Sequence, residues 1–360
     1  MSRAPAVSIL TPTYRHAAFI ESTIASVQAQ TFEDWEMLVL DDGSDDGTAD
    51  LAEAIGDPRV RVFREPHRGI ERLEETYNRG LAEARGDLVA ILEGDDLWPA
   101  EKIAIQVPDF DDPSVVLSAG KMEIRVGAET VATSPSVLPE PEALKNRPVG
   151  RAAIALMRPR VLTFAFPVTV LMRRSALESV GGFQRPADLP LVDYPTFLQM
   201  GRAGEWRFHD EVLGIWRRHE GSVTKSQFST ILNGAYRYAA EFAKEYGEAI
   251  GLTAEDCEVL NREWRDMQID RLVLLGRWNA AQGSRRRAAA AFGRAQSFAT
   301  GRNTKLMLRA ASLLCKMGMS PEPAMRIGRR GNWREELRSF GVDPFVNLDD
   351  DPTGFEQLKF

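Results

Sequence analysis

The chain is poor in cysteine and has no long apolar run. Its 360 residues include two cysteines, Cys257 and Cys315, which provide neither a disulfide framework nor the spacing of a metal site. No segment reaches the roughly 18 uninterrupted apolar residues that a membrane span requires. The opening stretch MSRAPAVSIL lacks the apolar run of a signal peptide. These absences exclude a disulfide-stapled secreted scaffold and predict a cytoplasmic protein.

Acidic residues are scarce in one segment of the C-terminal half, residues 261–340. The whole chain has a net charge of −7, yet residues 261–340 contain 17 arginines and lysines against 6 acidic residues, a net charge of +11. This asymmetry predicts that the basic segment meets an anionic partner. Two interpretations stay open: a solvated basic face, or peripheral contact with the anionic inner face of a membrane. The second would use the neighbouring apolar stripe, Leu306, Leu308, Ala311, Leu313 and Leu314.

Short apolar segments alternate with segments of helical spacing in the first quarter of the chain. Strands are predicted at residues 6–11, 36–42, 59–63 and 87–92. Helices are predicted between them, the first with Phe19, Ile20, Ile24 and Val27 on one face, the second starting near Thr48, and the third over 69–85. This alternation predicts an α/β fold with a mostly parallel sheet flanked by helices.

The remaining chain has a different pattern. Longer strands are predicted at 114–126 and 161–172, followed by a short helix that Gly181 and Gly182 end, and by two short strands within 205–219. Helical spacing dominates from about residue 227. We therefore predict one domain over 1–225, with halves 1–110 and 111–225, a helical region over 226–345 and an acidic tail over 346–360.

Polar residues follow three of the predicted strands at their carboxyl ends, where parallel sheets bind ligands. They are Thr11-Pro12-Thr13, Asp41-Asp42 and Glu93-Gly94-Asp95-Asp96. Three carboxylates within four residues repel one another, and such groups commonly hold a hard divalent cation that in turn binds phosphates. The alternative is a solvated acidic turn. The second acidic pair on the same predicted edge favours the cation site.

Five ordered motifs resemble family 2 glycosyltransferases with the GT-A fold, over about residues 5–225. They are VSILTPTYRH, VLDDGSDDGT, ILEGDDLWPAEKIAIQV, SALESVGGFQ…LPLVDYPTFLQM and IWRRHEGSVT. The resemblance implies a GT-A, Rossmann-like sheet. It also implies an enzyme that uses Mg²⁺ or Mn²⁺ to move a sugar, with inversion, from a nucleotide-diphosphate sugar to an acceptor hydroxyl. Surface glycan or glycoconjugate synthesis would be the setting.

The resemblance also implies roles at the nucleotide. Asp42 would anchor the base, and its alternative is a turn or capping aspartate. Thr11 and Pro12 would line the base pocket, or simply end a strand. The full set implied to bind the donor is Thr11, Pro12, Tyr14, Asp41, Asp42, Asn78, Glu93, Asp95 and Arg218.

For the metal, the resemblance implies Asp95, Asp96 and His219, and a surface histidine is the alternative for His219. Glu93 replaces the first aspartate of the family motif and keeps its charge. Of Arg217 and Arg218, strand alternation allows one to point inward at the diphosphate.

The resemblance implies that Asp193 is the catalytic base. The family usually has glutamate where this chain has Val192, so the surroundings of Asp193 should be less anionic and more desolvated. Burial of that kind raises the pKa of a carboxylate. The alternative for Asp193 is an N-cap of the helix that follows, and the two roles are compatible.

Two other functions stay open. A nucleotidyltransferase would also use a parallel sheet and a metal, but TPTYRHAAF lacks the glycines of its usual loop. A non-catalytic nucleotide-sugar-binding protein is the other. For the transferase, we expect a UDP-type donor and a glycan, lipid-linked or protein acceptor. No nucleic acid is expected as a partner, and a homo-oligomer is not excluded.

Overall fold

The protein forms two compact units. A computed structural model describes residues 3–134, 149–159, 165–187, 189–219 and 228–327. The α/β unit takes residues 1–222 and 241–252, and the helical unit takes 223–240 and 253–360. The return of 241–252 to the first unit was not expected from the sequence. The acidic tail predicted over 346–360 lies outside the described residues.

The α/β unit is built on one mixed sheet. Its described strands are β1 (Val7–Thr13), β2 (Trp35–Asp41), β3 (Val60–Arg64), β4 (Leu88–Ile91), β5 (Val115–Val126), β6 (Glu129–Ser134), β7 (Leu171–Arg173) and β8 (Glu205–Arg218). The order is β3-β2-β1-β4-β7-β5-β6, and β8 pairs with β5. The first four strands are parallel to one another, and β7 is antiparallel to β4. The predicted fold class is confirmed.

Helices connect and follow these strands. They are α1 (Ile20–Gln28), α2 (Thr48–Ala54), α3 (Leu73–Glu83), α4 (Lys102–Gln106), α5 (Arg151–Leu156), α6 (Arg174–Ser179), α7 (Asp193–Ala203), α8 (Phe228–Tyr246), α9 (Ala254–Ala281), α10 (Arg285–Phe298), α11 (Arg302–Lys316) and α12 (Glu322–Ile327). Within the described ranges, no helix is both long enough and apolar enough to span a bilayer.

The central strands are buried on both faces. Every residue of β1, β2 and β4 is buried, which explains why their sequences are apolar runs without alternation. The predicted apolar face of α1 packs here, because Ile20, Ile24 and Val27 belong to the same core as Val7 and Ile9.

Two strand predictions were wrong in detail. Of the strand predicted over 161–172, the described part contains only Leu171–Arg173 as strand, and Pro167–Thr169 is a short 3₁₀ turn. Pro167 begins this turn, and it has no N–H to donate to a ladder. The two short strands predicted within 205–219 are one strand, Glu205–Arg218, whose pairing with β5 shifts register around Lys121.

A buried carboxylate ties the first strands to the end of α3. Glu36 on β2 accepts hydrogen bonds from the Ser8 hydroxyl at 2.8 Å, from the Arg85 backbone N–H at 2.8 Å and from the Arg85 guanidinium at 2.6 Å. Burial alone would raise the pKa of Glu36, but the hydrogen bonds from Arg85 and Ser8 outweigh it and lower the pKa below 4.5.

We predict that Glu36→Gln lowers the free energy of unfolding at pH 7 by about 2 kcal/mol, because hydrogen bonds to an ionised group are lost. The folded pKa is depressed, so Glu36 stabilises the fold above the ordinary carboxyl range. That contribution disappears as the pH falls through the folded pKa. Urea unfolding of parent and variant at pH 7 and near pH 3 measures both. Glu83→Gln, at a more exposed ion pair with Arg61, is the control. An equal deficit at both pH values would contradict the ionic role.

The helical unit has its own core. A capping box at Thr253 and Asp256 begins α9. α9, α10, α11 and α12 then bury a shared set of side chains that includes Leu272, Phe292 and Leu308. The predicted helical region is therefore present over the residues described.

Candidate functional site

The carboxyl ends of β1, β2 and β4 lie side by side at one edge of the sheet. Thr13 pairs with Asp41 in the parallel ladder, and the Gly94 N–H donates to the Pro12 carbonyl at 3.0 Å. The Asp42 N–H donates to the Thr13 carbonyl at 2.9 Å. The three predicted polar segments therefore meet. The strand β1 is longer than predicted, so that Thr11, Pro12 and Thr13 are its last residues and do not lie beyond its end.

Three carboxylates cluster after β4. Glu93, Asp95 and Asp96 each offer an oxygen within 4.8 Å of the others. Burial, and then the neighbouring charges of Asp95 and Glu93, raise the pKa of Asp96 well above its usual range. Burial and the charge of Asp95 raise the pKa of Glu93 to about 7. Like charges this close and this buried are the donor set that a divalent cation would neutralise.

Two histidines lie against Asp95. His219 Nε2 is 3.0 Å from Asp95 Oδ2, and His16 Nε2 is 3.8 Å from the same oxygen. Burial would raise the pKa of Asp95, but the His219 hydrogen bond and the charges of both histidines lower it. Burial lowers the pKa of His16. His16 was not among the predicted site residues, although it ends the motif VSILTPTYRH.

Arg217, and not Arg218, contacts the loop after β4 that carries Asp95 and Asp96. The Arg217 backbone N–H donates to Asp96 Oδ1 at 2.9 Å, and its guanidinium donates to the Asp95 carbonyl and to Thr23 Oγ1. The guanidinium of Arg218 lies instead over the ring of Trp216 at 5.6 Å. Alternation along β8 turns one arginine, Arg217, toward the loop after β4, as expected, and the contact of Arg218 with the donor stays a prediction.

Asp42 and an aromatic pair lie together beyond the end of β2 on the same edge. The backbone N–H groups of Arg68 and Gly69 donate to the Asp42 carboxylate at 2.7 and 2.9 Å. The Tyr14 and His67 rings stack at 4.1 Å. Asp42 thus holds the loop after β3 in place beside a flat aromatic surface, and its turn role and a base-binding role are compatible.

Buried polar atoms without partners line the same edge. Among the described residues, no group reaches Thr11 Oγ1, Thr13 Oγ1 or Asp41 Oδ1 within hydrogen-bond distance. Thr11 is fully buried, which favours the strand-end interpretation for it over a wall of the base pocket. Pro12 is buried too. A Cβ at Gly94 would come within 2.5 Å of Thr13 Oγ1, so the loop is packed tightly at this point.

Asn78 has a structural role. Its side-chain amide donates to the Phe183 carbonyl at 2.8 Å and accepts from the Phe183 N–H at 2.9 Å. A Cβ at Gly182 would lie 2.4 Å from Asn78 Oδ1, and the φ of Gly182 is +76°. The amide therefore ties α3 to the glycine turn after α6, and the geometry gives no support to the predicted contact of Asn78 with a diphosphate.

Asp193 joins the site from the second half of the α/β unit. It is the first residue of α7, and the N-cap position is Val192, without a side-chain capping bond. The N-cap interpretation is therefore wrong. Burial raises the pKa of Asp193. The charge of Asp193 contributes in turn to the raised pKa values of Glu93 and Tyr77, so its carboxylate lies close to the acidic cluster.

Sequence comparisons show what this chain is similar to. Residues 8–181 match the family described as Glycosyl transferase family 2. The putative teichuronic acid biosynthesis glycosyltransferase TuaG of Bacillus subtilis is 30% identical over 232 residues, 62% of this chain and 83% of that protein. The UDP-Glc:alpha-D-GlcNAc-diphosphoundecaprenol beta-1,3-glucosyltransferase WfgD of Escherichia coli is 29% identical over 163 residues, 45% of this chain. The match spans 64% of the length of WfgD.

Solved structures show the same fold. The mannosyltransferase PcManGT from Pyrobaculum calidifontis, in complex with GDP-Man and Mn²⁺, gives a TM-score of 0.53 at 17% identity, over 97% of this chain and 89% of that one. TarS 1-349 of S. aureus, in complex with UDP-GlcNAc, gives 0.51 at 16% identity, over 93% and 92% of the two chains.

Proposed function

The chain belongs to glycosyl transferase family 2, and on that premise we propose that it transfers a sugar from a nucleotide-diphosphate sugar to an acceptor hydroxyl, with a divalent cation and with inversion. The observation that carries this proposal is the cluster of Glu93, Asp95 and Asp96 at the carboxyl edge of the parallel strands, where the charge of Asp193 contributes to the raised pKa of Glu93. A separate carboxylate beside a cation-binding cluster provides both groups that glycosyl transfer needs.

The acidic cluster fits Mg²⁺ or Mn²⁺. Asp95 and Asp96 would hold the ion, with Glu93 beside them, and carboxylate oxygens are the ligands that these hard cations prefer. A bound cation would stabilise the charge that develops on the leaving diphosphate. His219 contacts Asp95. We therefore propose that His219 orients the Asp95 carboxylate, and that it does not bind the ion itself.

Asp193 would act on the acceptor. Its carboxylate accepts the proton of the attacking hydroxyl while the hydroxyl oxygen bonds to the anomeric carbon and the bond from that carbon to the diphosphate breaks. A single direct displacement inverts the anomeric centre, and no enzyme nucleophile is needed. The burial that raises the pKa of Asp193 makes it a stronger proton acceptor.

The donor is proposed to carry a uridine diphosphate. Asp42 would accept the base N3–H beside the Tyr14–His67 stack. WfgD is named for a UDP-Glc donor, and TarS was solved with UDP-GlcNAc. By the same reasoning, the acceptor is proposed to be a surface glycan or its lipid-linked precursor, as the names of TuaG and WfgD indicate for those proteins.

Family membership favours this transferase over a nucleotidyltransferase. A non-catalytic nucleotide-sugar-binding protein would share the fold and the cluster, but it would have no use for a base at Asp193. Replacement of Asp193 by asparagine separates the two, because only the enzyme has a rate of transfer that this change can lower.

We predict that a UDP-sugar with Mn²⁺ raises the melting temperature of the protein. At a ligand concentration 100 times the dissociation constant, the stabilisation is about 2.7 kcal/mol. Differential scanning fluorimetry with UDP-, GDP- and dTDP-sugars, each with Mn²⁺ or with EDTA, measures it. ATP with Mn²⁺ is the control for unspecific phosphate binding. No shift with any nucleotide sugar, or shifts that EDTA leaves unchanged, would contradict the proposal.

A further inference from the structure

The helical unit contains a long segment without a single carboxylate side chain. Residues 271–321 include ten arginines and lysines and no aspartate or glutamate. Surface segments of soluble proteins usually mix both signs of charge. An uninterrupted cationic segment of this length calls for an anionic partner or for a functional reason to exclude acids.

Within this segment, α11 exposes an apolar stripe to solvent. Leu306, Leu313 and Met317 are 67%, 57% and 62% exposed. Their spacing of seven and four residues puts them on one face, with Leu306 and Leu313 inside the helix and Met317 at its C-cap. The opposite face carries Leu308 and Ala311, which are buried in the core of the helical unit. The stripe expected from the sequence therefore consists of two parts. Leu308 and Ala311 pack in the core of the helical unit, while Leu306 and Leu313 are exposed to solvent.

Cations flank the exposed stripe. Arg302, Lys305, Arg309 and Lys316 are all exposed on α11. Counting 100° per residue, they lie on one side of the line through Leu306 and Leu313. In the part of the chain that the structure describes, no carboxylate forms an ion pair with any of these four. A helix that was only solvated would have no reason to hold three large apolar side chains in water beside them.

We propose that the outer face of α11 binds the surface of an anionic lipid bilayer, with the helix lying in the interface. Leu306, Leu313 and Met317 enter the boundary between headgroups and acyl chains, and the four flanking cations contact lipid phosphates. The proposed membrane contact thus uses one face of one helix within the basic region 261–340. The proposal does not depend on the proposed sugar transfer.

Other occupants fit this face less well. In a two-fold dimer the same patch meets itself, so Arg302 and Arg309 of two copies would approach one another without any acidic residue between them. A stable protein partner also needs roughly 800 Å² of surface on each side, far more than a stripe that is one residue wide. For a nucleic acid, the apolar stripe would lie where phosphate contacts are required.

The test is sedimentation of the full chain with vesicles of phosphatidylcholine containing phosphatidylglycerol. Vesicles of phosphatidylcholine alone are the comparison, each at low and at high salt. We expect binding to the anionic vesicles only, and weaker binding at high salt. Each cation near the surface contributes a factor of roughly five, so Arg302→Gln with Arg309→Gln should weaken partitioning roughly twentyfold.

A matched variant, Arg3→Gln with Arg262→Gln, removes the same charge from exposed positions elsewhere and should bind like the parent. Leu306→Gln with Leu313→Gln should reduce binding at least about tenfold without unfolding the protein, since both side chains already face water. The proposal is overturned if the parent ignores anionic vesicles at low salt, if both charge variants lose binding equally, or if the leucine variant instead abolishes a dimer seen by analytical ultracentrifugation.

Discussion

Replacing Asp193 by asparagine is expected to lower the rate of sugar transfer by at least about a hundredfold, the usual scale for loss of a general base. Donor binding should stay close to that of the parent. The amide has nearly the shape of the carboxylate, and the acidic cluster that would hold the donor through its metal is untouched. Asparagine cannot accept the proton of the acceptor hydroxyl at neutral pH.

Steady-state kinetics and calorimetry separate these effects. The rate constant for transfer should fall, while the dissociation constant for UDP with Mn²⁺ changes little. Asp210→Asn, at an exposed aspartate on β8 that pairs with Lys121, is the control and should leave both unchanged. Equal losses of binding and of rate would assign Asp193 a structural role at the start of α7. Unchanged transfer would show that Asp193 is not the base, and the absence of transfer by the parent protein would favour the non-catalytic interpretation of the chain.

The second large effect concerns the acidic cluster. Asp96→Asn, and separately Asp95→Asn, should abolish the dependence of UDP binding on Mn²⁺, because each removes a charge from a proposed ligand of the ion. The fold should survive in both. In Asp96→Asn the amide oxygen still accepts the Arg217 N–H, and the loss of a buried charge relieves its repulsion with Asp95 and Glu93.

Titration calorimetry of UDP with Mn²⁺ and with EDTA measures the metal dependence, and thermal unfolding without ligand checks the fold. The control is Asp87→Asn, since Asp87 is 95% exposed and pairs only loosely with Arg174, at 3.8 Å. If both cluster variants bind UDP with the metal dependence of the parent, the metal site lies elsewhere or does not exist.

Local pattern was sufficient to predict the four parallel strands β1 to β4 and the edge at which their polar residues collect. The strands β1, β2 and β4 are mostly apolar, without regular polar alternation, because they are buried on both faces, and this signal needs no knowledge of distant contacts. Parallel strands then place their carboxyl ends together, so the acidic loop after β4 could be assigned to the same edge as Asp41 and Asp42. The resemblance to the family, and not the pattern, identified Asp193.

Side-chain direction was beyond the sequence. Strand alternation allowed either Arg217 or Arg218 to point inward, the resemblance implied Arg218, and only the pairing of β8 with β5 determines that Arg217 faces Asp96. Asn78 lies on the expected helix, but its side-chain amide is hydrogen-bonded to the backbone of Phe183, which follows the turn at Gly181 and Gly182. His16 was overlooked because its partner, Asp95, is far away along the chain.

The sequence by itself determined the α/β class, the edge at which polar residues collect, and the cationic character of residues 271–321. Periodicity and composition can be read from a few neighbouring residues, because the burial of one strand or helix face directly selects which of its residues are apolar. Tertiary structure alone decided which carboxylates are crowded enough to have raised pKa values, which arginine contacts them, and which leucines of α11 remain in water. Those outcomes depend on distances between segments far apart in the chain, and no local pattern encodes such distances.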